Sequence, residues 1–184
     1  MDAACLDFIN SEFRDFRGRW TRDDLLRPDW LKQFQTRWHL QTECPPDQEM
    51  LGELITLRTV LQQAVEVVTV EGQLQQHDLE MLNAVMRRSM ASRCLSTDDE
   101  GYRLELVPQS RDWYWVQAEI VASFVHLLTR YDPQRLKICA NTHCRWVFYD
   151  ESKSRTRRYC TSDKCANLLK VRRFRRRHSS QSAS

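Results

Sequence analysis

Cys139-Ala-Asn-Thr-His-Cys144 and, after fifteen intervening residues, Cys160-Thr-Ser-Asp-Lys-Cys165 are the stretch that organises this chain. Two C-x4-C pairs at this separation have metal-ligand spacing. Each pair closes a short loop, and two loops complete a tetrahedron about one ion. Thiolate sulfur is soft, so zinc is favoured over magnesium or calcium, with an iron–sulfur cluster as the alternative. Four protein ligands leave no open coordination position, which predicts one structural Zn2+ per chain rather than a catalytic one. Four thiolates around a divalent cation keep a net negative charge, and Arg145, Lys153, Arg155, Arg157, Arg158 and Lys164 lie close enough in sequence to offset it. Disulfides would need an oxidising compartment, whereas the opening MDAACLDFIN is acidic and lacks the long apolar run of a secretory signal. With four thiolates available, His143 is expected to be exposed rather than a ligand.

The charge distribution points to two modules. The net charge of +3 combines a segment 1–138 with 16 Lys+Arg against 22 Asp+Glu, net −6, and a segment 139–178 with 12 against 3, net +9. Six of the eight residues 170–177 are Lys or Arg. Segregation of this kind assigns different work to the two ends, and the basic end suits a polyanion. The 184 residues, 41% hydrophobic, are enough for one packed domain and a small appended one. The apolar runs are too short to span a bilayer. Cys5, Cys44 and Cys94 are scattered and odd in number, as expected of reduced thiols in the cytoplasm. With four glycines, no phosphate-cradling or dinucleotide pattern and no nucleophile motif, the chain does not read as an enzyme.

Periodicity predicts a mainly α fold. The best helix covers 49–70, where Leu51, Leu54, Ile55, Leu61, Val65 and Val68 form an apolar stripe with Arg58 as its one polar member. Asp47 and Gly72 are placed to cap it. Further helices are expected after Pro28, from an Asp78 cap to Met90, and from Asp112 to Arg130, the last apolar enough for the centre of a bundle. Asp98-Asp99-Glu100-Gly101, with Leu95 before it and alternating Tyr102, Leu104 and Leu106 after it, reads as a small β-hairpin. Trp146–Tyr149 reads as a strand with Trp146 and Phe148 on one face. A final helix capped by Thr161, Ser162 or Asp163 should run to about Arg177. The fold expected is a helical N-terminal domain with a small hairpin, residues 1–134. A four-cysteine zinc finger of treble-clef type follows, ending in a basic helix, residues 135–178, with a polar tail at 179–184. No long linker separates the parts, so the finger is expected to pack on the bundle.

The segment from Arg135 to Arg177 resembles the CGNR-type zinc finger of bacterial regulators. It carries the C-A-N-x-x-C knuckle at 139–144, W-x-F-x-D from Trp146 to Asp150, S-x-x-R-R-x-C ending at Cys160, and K-x-R-R-x-R at 170–175. Cys165-Ala-Asn-Leu stands where the family has Cys-Gly-Asn-Arg, so Ala166 and Leu168 replace a glycine and an arginine. Ala suits a helical position. Leu168 removes a phosphate contact if the family arginine makes one. DFIN at 7–10 and FRGRW at 16–20 resemble the start of the helical ABATE domain that precedes this finger. The resemblance implies a stress-induced transcription regulator that binds DNA through the finger and senses a ligand through the first domain.

The residues themselves allow a mechanism that is mostly electrostatic. Lys170, Arg172, Arg173, Arg175, Arg176 and Arg177 fall on successive turns of the expected helix, and Arg155, Arg157 and Arg158 add a second cluster. Such a surface suits the phosphates of double-stranded DNA, with Asn167 either bonding the zinc loop or reaching a base edge. RNA is an alternative partner. A second reading makes the finger a protein-interaction or purely structural element, with the helical domain holding a small effector or forming a homodimer. Candidates for that pocket are Asn10, Arg17, Trp20, Trp113 and His126.

Overall fold

The computed structural model describes residues 1–171 and 174. Helix α1 (Ala4–Ile9) leads into a short antiparallel pair, β1 (Glu12–Arg14) with β2 (Thr21–Asp23), in which Phe13 lies opposite Arg22. Helices α2 (Pro28–Trp38), α3 (Gln48–Glu71) and α4 (Gln76–Arg87) follow. A long hairpin comes next, β3 (Ala91–Asp98) with β4 (Gly101–Pro108), and then helix α5 (Trp113–Arg130). The last part holds the antiparallel pair β5 (Leu136–Ile138) and β6 (Val147–Tyr149), then a helical segment opening at Ser162–Ala166 and continuing to 171. The expected mainly α architecture is therefore present. The expected basic helix is described only as far as 171 and at 174; Arg172, Arg173, Arg175, Arg176, Arg177 and the tail lie outside the described residues.

Local chemistry accounts for the helix ends. The Asp47 carboxylate accepts the Met50 N–H at 2.8 Å, and Gly72, at φ 84°, closes α3 in the left-handed region that favours glycine. The Asp112 side chain accepts the Trp115 N–H at 2.9 Å and starts α5. One expectation needs correction. Asp78 does not cap α4 but sits three residues in, accepting the N–H of the true cap residue, Gln75, at 2.9 Å. The sequence reading missed that reciprocal capping box because a glutamine is an uncommon first member.

Helix α5 occupies the centre, as its composition suggested. Val116, Ile120, Val121 and Phe124 are fully buried, and the helix packs on α1, α3 and α4. The core does not stop at the domain boundary read from the sequence. Leu136, Val147 and Tyr149 belong to the same apolar cluster as Phe8, Leu61 and Phe124. Strand alternation explains how β6 serves two cores: Val147 and Tyr149 face the bundle, while Trp146 and Phe148 face the sulfur cluster.

Arg58, the polar exception on the α3 stripe, is 5% exposed. Its guanidinium donates to both carboxylate oxygens of Asp23, at 2.7 and 2.6 Å, and to the Ser11 hydroxyl at 3.1 Å. Burial pushes the Asp23 carboxyl up, but the Arg58 bonds outweigh it and hold its pKa below the usual value. The pair ties α3 to the β1–β2 region. Removing one partner of such a pair leaves a poorly solvated charge, at a cost of roughly 3–5 kcal/mol when both are buried. Because Asp23 keeps some access to water, Arg58→Ala should cost about 2–4 kcal/mol in urea unfolding. Joint replacement of Arg58 and Asp23 by apolar residues should recover much of that loss.

Candidate metal centre

The four cysteines of the sequence motif meet at one point. All four Sγ atoms lie within 4.8 Å of one another. Cys144 and Cys160 sulfurs are 3.6 Å apart, and those of Cys160 and Cys165 are 3.8 Å apart. A tetrahedron with zinc–sulfur bonds of about 2.3 Å has sulfur–sulfur edges of about 3.8 Å, so the donor set fits zinc. Cys139, Cys144 and Cys165 are buried and Cys160 is half-buried. Such closely packed sulfurs cannot all be charged on their own account. Hydrogen bonding with Cys144 and Cys160 draws the Cys139 thiol far below its usual range, while the contact with Cys139 holds Cys144 and Cys160 above it, Cys160 to about 12. A divalent cation resolves that conflict by favouring the thiolate at every position. The set takes one structural zinc.

The first cysteine pair sits in the turn between β5 and β6, and the second pair stands at the start of the last helical segment. The β5–β6 register continues into the first loop, where the Cys139 N–H donates to the Trp146 carbonyl at 2.9 Å. The Asn141 carbonyl accepts the N–H groups of Cys144 and Arg145 at 2.9 and 3.2 Å, and Arg145 takes a left-handed φ of 52° to close the turn. The Ala140 N–H reaches the Arg158 carbonyl at 2.8 Å, which joins the first loop to the second. Cys165 lies in a wide helical turn, with the Ala166 N–H bonded to the Thr161 carbonyl five residues back. Thr161 holds the cap position, but its side chain makes no cap bond.

Sequence reasoning found the ligands and missed what orients them. Asn141, 2% exposed, donates to the Phe16 carbonyl at 2.7 Å and to the Cys165 sulfur at 3.4 Å. It therefore joins a ligand to the first domain. Its place between two ligand cysteines was the available signal, because a short amide there can reach sulfur. Asn10 has a matching role: its side chain donates to the Val147 carbonyl and accepts the Val147 N–H, both at 2.8 Å. Gly18, at φ 77°, lies under the His143 ring, and a Cβ there would meet Nδ1 at 2.5 Å. His143 is exposed, as expected. Phe16 packs on the sulfur cluster, and Phe13 meets Trp146 edge-on at 6.1 Å. DFIN and FRGRW thus form the seat of the zinc knuckle. Asp150, fully buried, accepts the N–H groups of Ser152 and Arg157, both at 2.9 Å, and the Ser152 hydroxyl at 2.5 Å. Burial alone would raise its pKa, but these bonds, Ser152 foremost, keep it below the usual carboxylate value.

Among the described residues, those expected at a nucleic-acid surface divide into two groups. Arg157 lies over the Phe148 ring at 4.7 Å and donates to the carbonyls of Tyr159 and Cys160, so it braces the knuckle. Arg155 pairs with Asp132 at 2.9 Å, and Arg145 pairs with Glu66 on α3. Arg158, Asn167 and Lys170 are exposed, and Asn167 makes no side-chain bond to the zinc loop. The residues expected to form an effector pocket do not converge. Asn10 lines a cleft of about 280 Å³ between α3 and the finger, with Gln62, Glu66 and Trp146. His126 lines a separate cleft of about 470 Å³ with Trp38, Glu119 and Tyr131. Trp113 is buried and donates to the Cys44 carbonyl at 2.9 Å. Trp20 stacks on Phe13 at 5.4 Å, and Arg17 is exposed over the Phe16 ring.

Two family models match the chain. That of the ABATE domain, described as a "putative stress-induced transcription regulator", covers residues 2–131, and that of the CGNR zinc finger covers residues 135–178. No curated protein matches it. No helix among the described residues is long and apolar enough to cross a membrane.

The purified chain should contain one zinc ion, and Cys144→Ser should lose it; metal analysis of both proteins checks this. Asn141→Ala keeps the four ligands but removes the amide that orients Cys165. It should weaken zinc affinity about 10–100-fold in a chelator competition. Asn10→Ala should lower unfolding stability by about 2–3 kcal/mol, since it leaves two buried backbone groups of Val147 without partners.

Proposed function

The chain belongs to the ABATE family and carries a CGNR zinc finger, and from that premise we propose that it is a transcription regulator whose finger binds double-stranded DNA through its basic C-terminal segment. The observation that carries this reading is the coupling of a closed four-sulfur site to a segment of net charge +9. The zinc supplies folding energy to a region with little apolar core of its own, and so sets the direction in which the chain leaves Cys165. Lys170 starts the cationic run from a helical position and is exposed, and Arg158 and Asn167 share that exposure. Arg172, Arg173, Arg175, Arg176 and Arg177 continue the run in sequence. Phosphate contacts from these side chains would account for affinity. Arg155 and Arg157 contribute field more than contact, because each already has a partner within the protein.

In this reading residues 1–134 serve the finger rather than acting apart from it. Asn10, Phe16 and Asn141 connect the two, and the cleft beside Asn10 and Glu66 borders the knuckle at Cys144 and Arg145. An effector bound there would bear on the Glu66–Arg145 pair and, through it, on the finger. The closed coordination shell supports a structural rather than a catalytic metal.

Duplex DNA binding should fall about 10³-fold between 50 and 200 mM salt if about six phosphates are neutralised. A chain ending at Leu169 should retain its helical circular dichroism and its zinc but lose the gel shift. Equal binding by that shortened chain would place the interface elsewhere. A matched RNA duplex in the same titration separates the two polymers.

A further inference from the structure

The β3–β4 hairpin is built with its apolar face outward. Strand register pairs Arg93 with Leu106, Leu95 with Leu104, and Thr97 with Tyr102, and cross-strand partners share a face. That face carries Leu95 at 73%, Leu104 at 69%, Leu106 at 70% and Tyr102 at 84% exposure. The opposite face carries Cys94 with Glu105 and Ser96 with Arg103, and Cys94, Ser96 and Glu105 are half-buried. The strands pack chiefly on each other. An isolated two-stranded ribbon is marginal in water, and an apolar patch of this kind marks an interaction surface.

We propose that this face is a homodimer interface, in which the hairpins of two copies stack face to face about a twofold axis near the Leu95–Leu104 pair.

Three observations select a second copy as the occupant. The first is charge. Residues 91–108 hold two arginines against four acidic residues, net −2, in a chain whose other end is strongly basic. This ribbon does not suit nucleic acid or anionic lipid, and the level-reversed stacking puts the acidic turns 98–100 of the two copies at opposite ends, which keeps their like charges apart. The second is self-complementarity. A twofold interface must match itself. With the axis at the central leucines, the Arg93–Leu106 level of one hairpin lies over the Thr97–Tyr102 level of the other. That axis sets Arg93 over Thr97 and Leu106 over Tyr102 of the partner copy, so the single charge of the face meets a hydroxyl rather than a second charge, with the Tyr102 ring as its diagonal neighbour. The third is area. Four large side chains about three-quarters exposed present on the order of 500 Å² of apolar surface. A stacked pair thus covers on the order of 1,000 Å², the size at which a specific interface becomes sustainable.

The test uses the zinc-loaded full chain without DNA, so its outcome is separate from that of the DNA reading. Sedimentation velocity from 1 to 100 μM should show a species of twice the chain mass. Leu95→Asp combined with Leu104→Asp should raise the dissociation constant at least about 100-fold with unchanged zinc content. Should that variant fail to fold, the hairpin can be excised. The Gln109 N–H donates to the Met90 carbonyl at 2.9 Å, so a Gly-Gly joint can connect these residues across its base, and the excised chain should be monomeric. Hydrogen exchange of the unmodified chain needs no variant: amides of 91–108 should gain protection as concentration rises. A chain that stays monomeric at 100 μM would overturn the proposal and assign the face to a different protein. A dimer that survives excision would overturn it as well.

Discussion

Four sulfurs packed at contact distance repel one another as thiolates and are held together by a cation in their midst. That constraint explains why residues 139–165 can be ordered with so few apolar side chains. Phe148 with Cys139, Cys144 and Cys165 make up the buried part of the finger's own cluster, and Phe16 from the first domain packs against it. A core this small does not offset the entropy of ordering the backbone around it, and metal ligation makes up the difference.

The finger nevertheless does not stand alone. β6 divides its side chains between two cores, and two asparagines fix its backbone and a ligand sulfur to the first domain. Asn10 satisfies both polar groups of Val147 inside the junction, where water cannot. The Arg58–Asp23 pair then anchors the same β1–β2 region to α3. Packed groups and short hydrogen bonds thus connect the start of the chain to the ligand sulfurs. The junction cleft, bordered by Glu66 and Arg145, lies along this connection.

Much of the fold was legible because it follows local rules. Helices α3 and α5 carry long apolar stripes with aspartate caps, and the hairpin carries its turn between alternating residues. The capping box at Gln75 was less legible, since a glutamine cap gives a weak signal. The candidate pocket residues lie apart for a different reason. Trp113, His126 and Asn10 were grouped by chemical type, yet Trp113 packs against the loop at Cys44, His126 faces the cleft beside Trp38, and Asn10 is taken up by β6. Burial potential can be read along a chain, but the direction in which a side chain leaves a packed helix cannot.

By itself the sequence determined the ligand set, because C-x4-C loops close locally and sulfur chooses its metal by softness. It likewise determined the segregation of charge and the order of the helices, both properties of short windows. Tertiary structure alone decided which amides orient the knuckle, which arginines are already engaged within the protein, and that the hairpin turns its leucines outward. Those outcomes depend on residues more than a hundred positions apart, such as Phe16 and Asn141, and on which of two equivalent hairpin faces the rest of the molecule covers. Local pattern places Asn141 between two ligands but encodes neither its Phe16 partner nor the covered face of the hairpin.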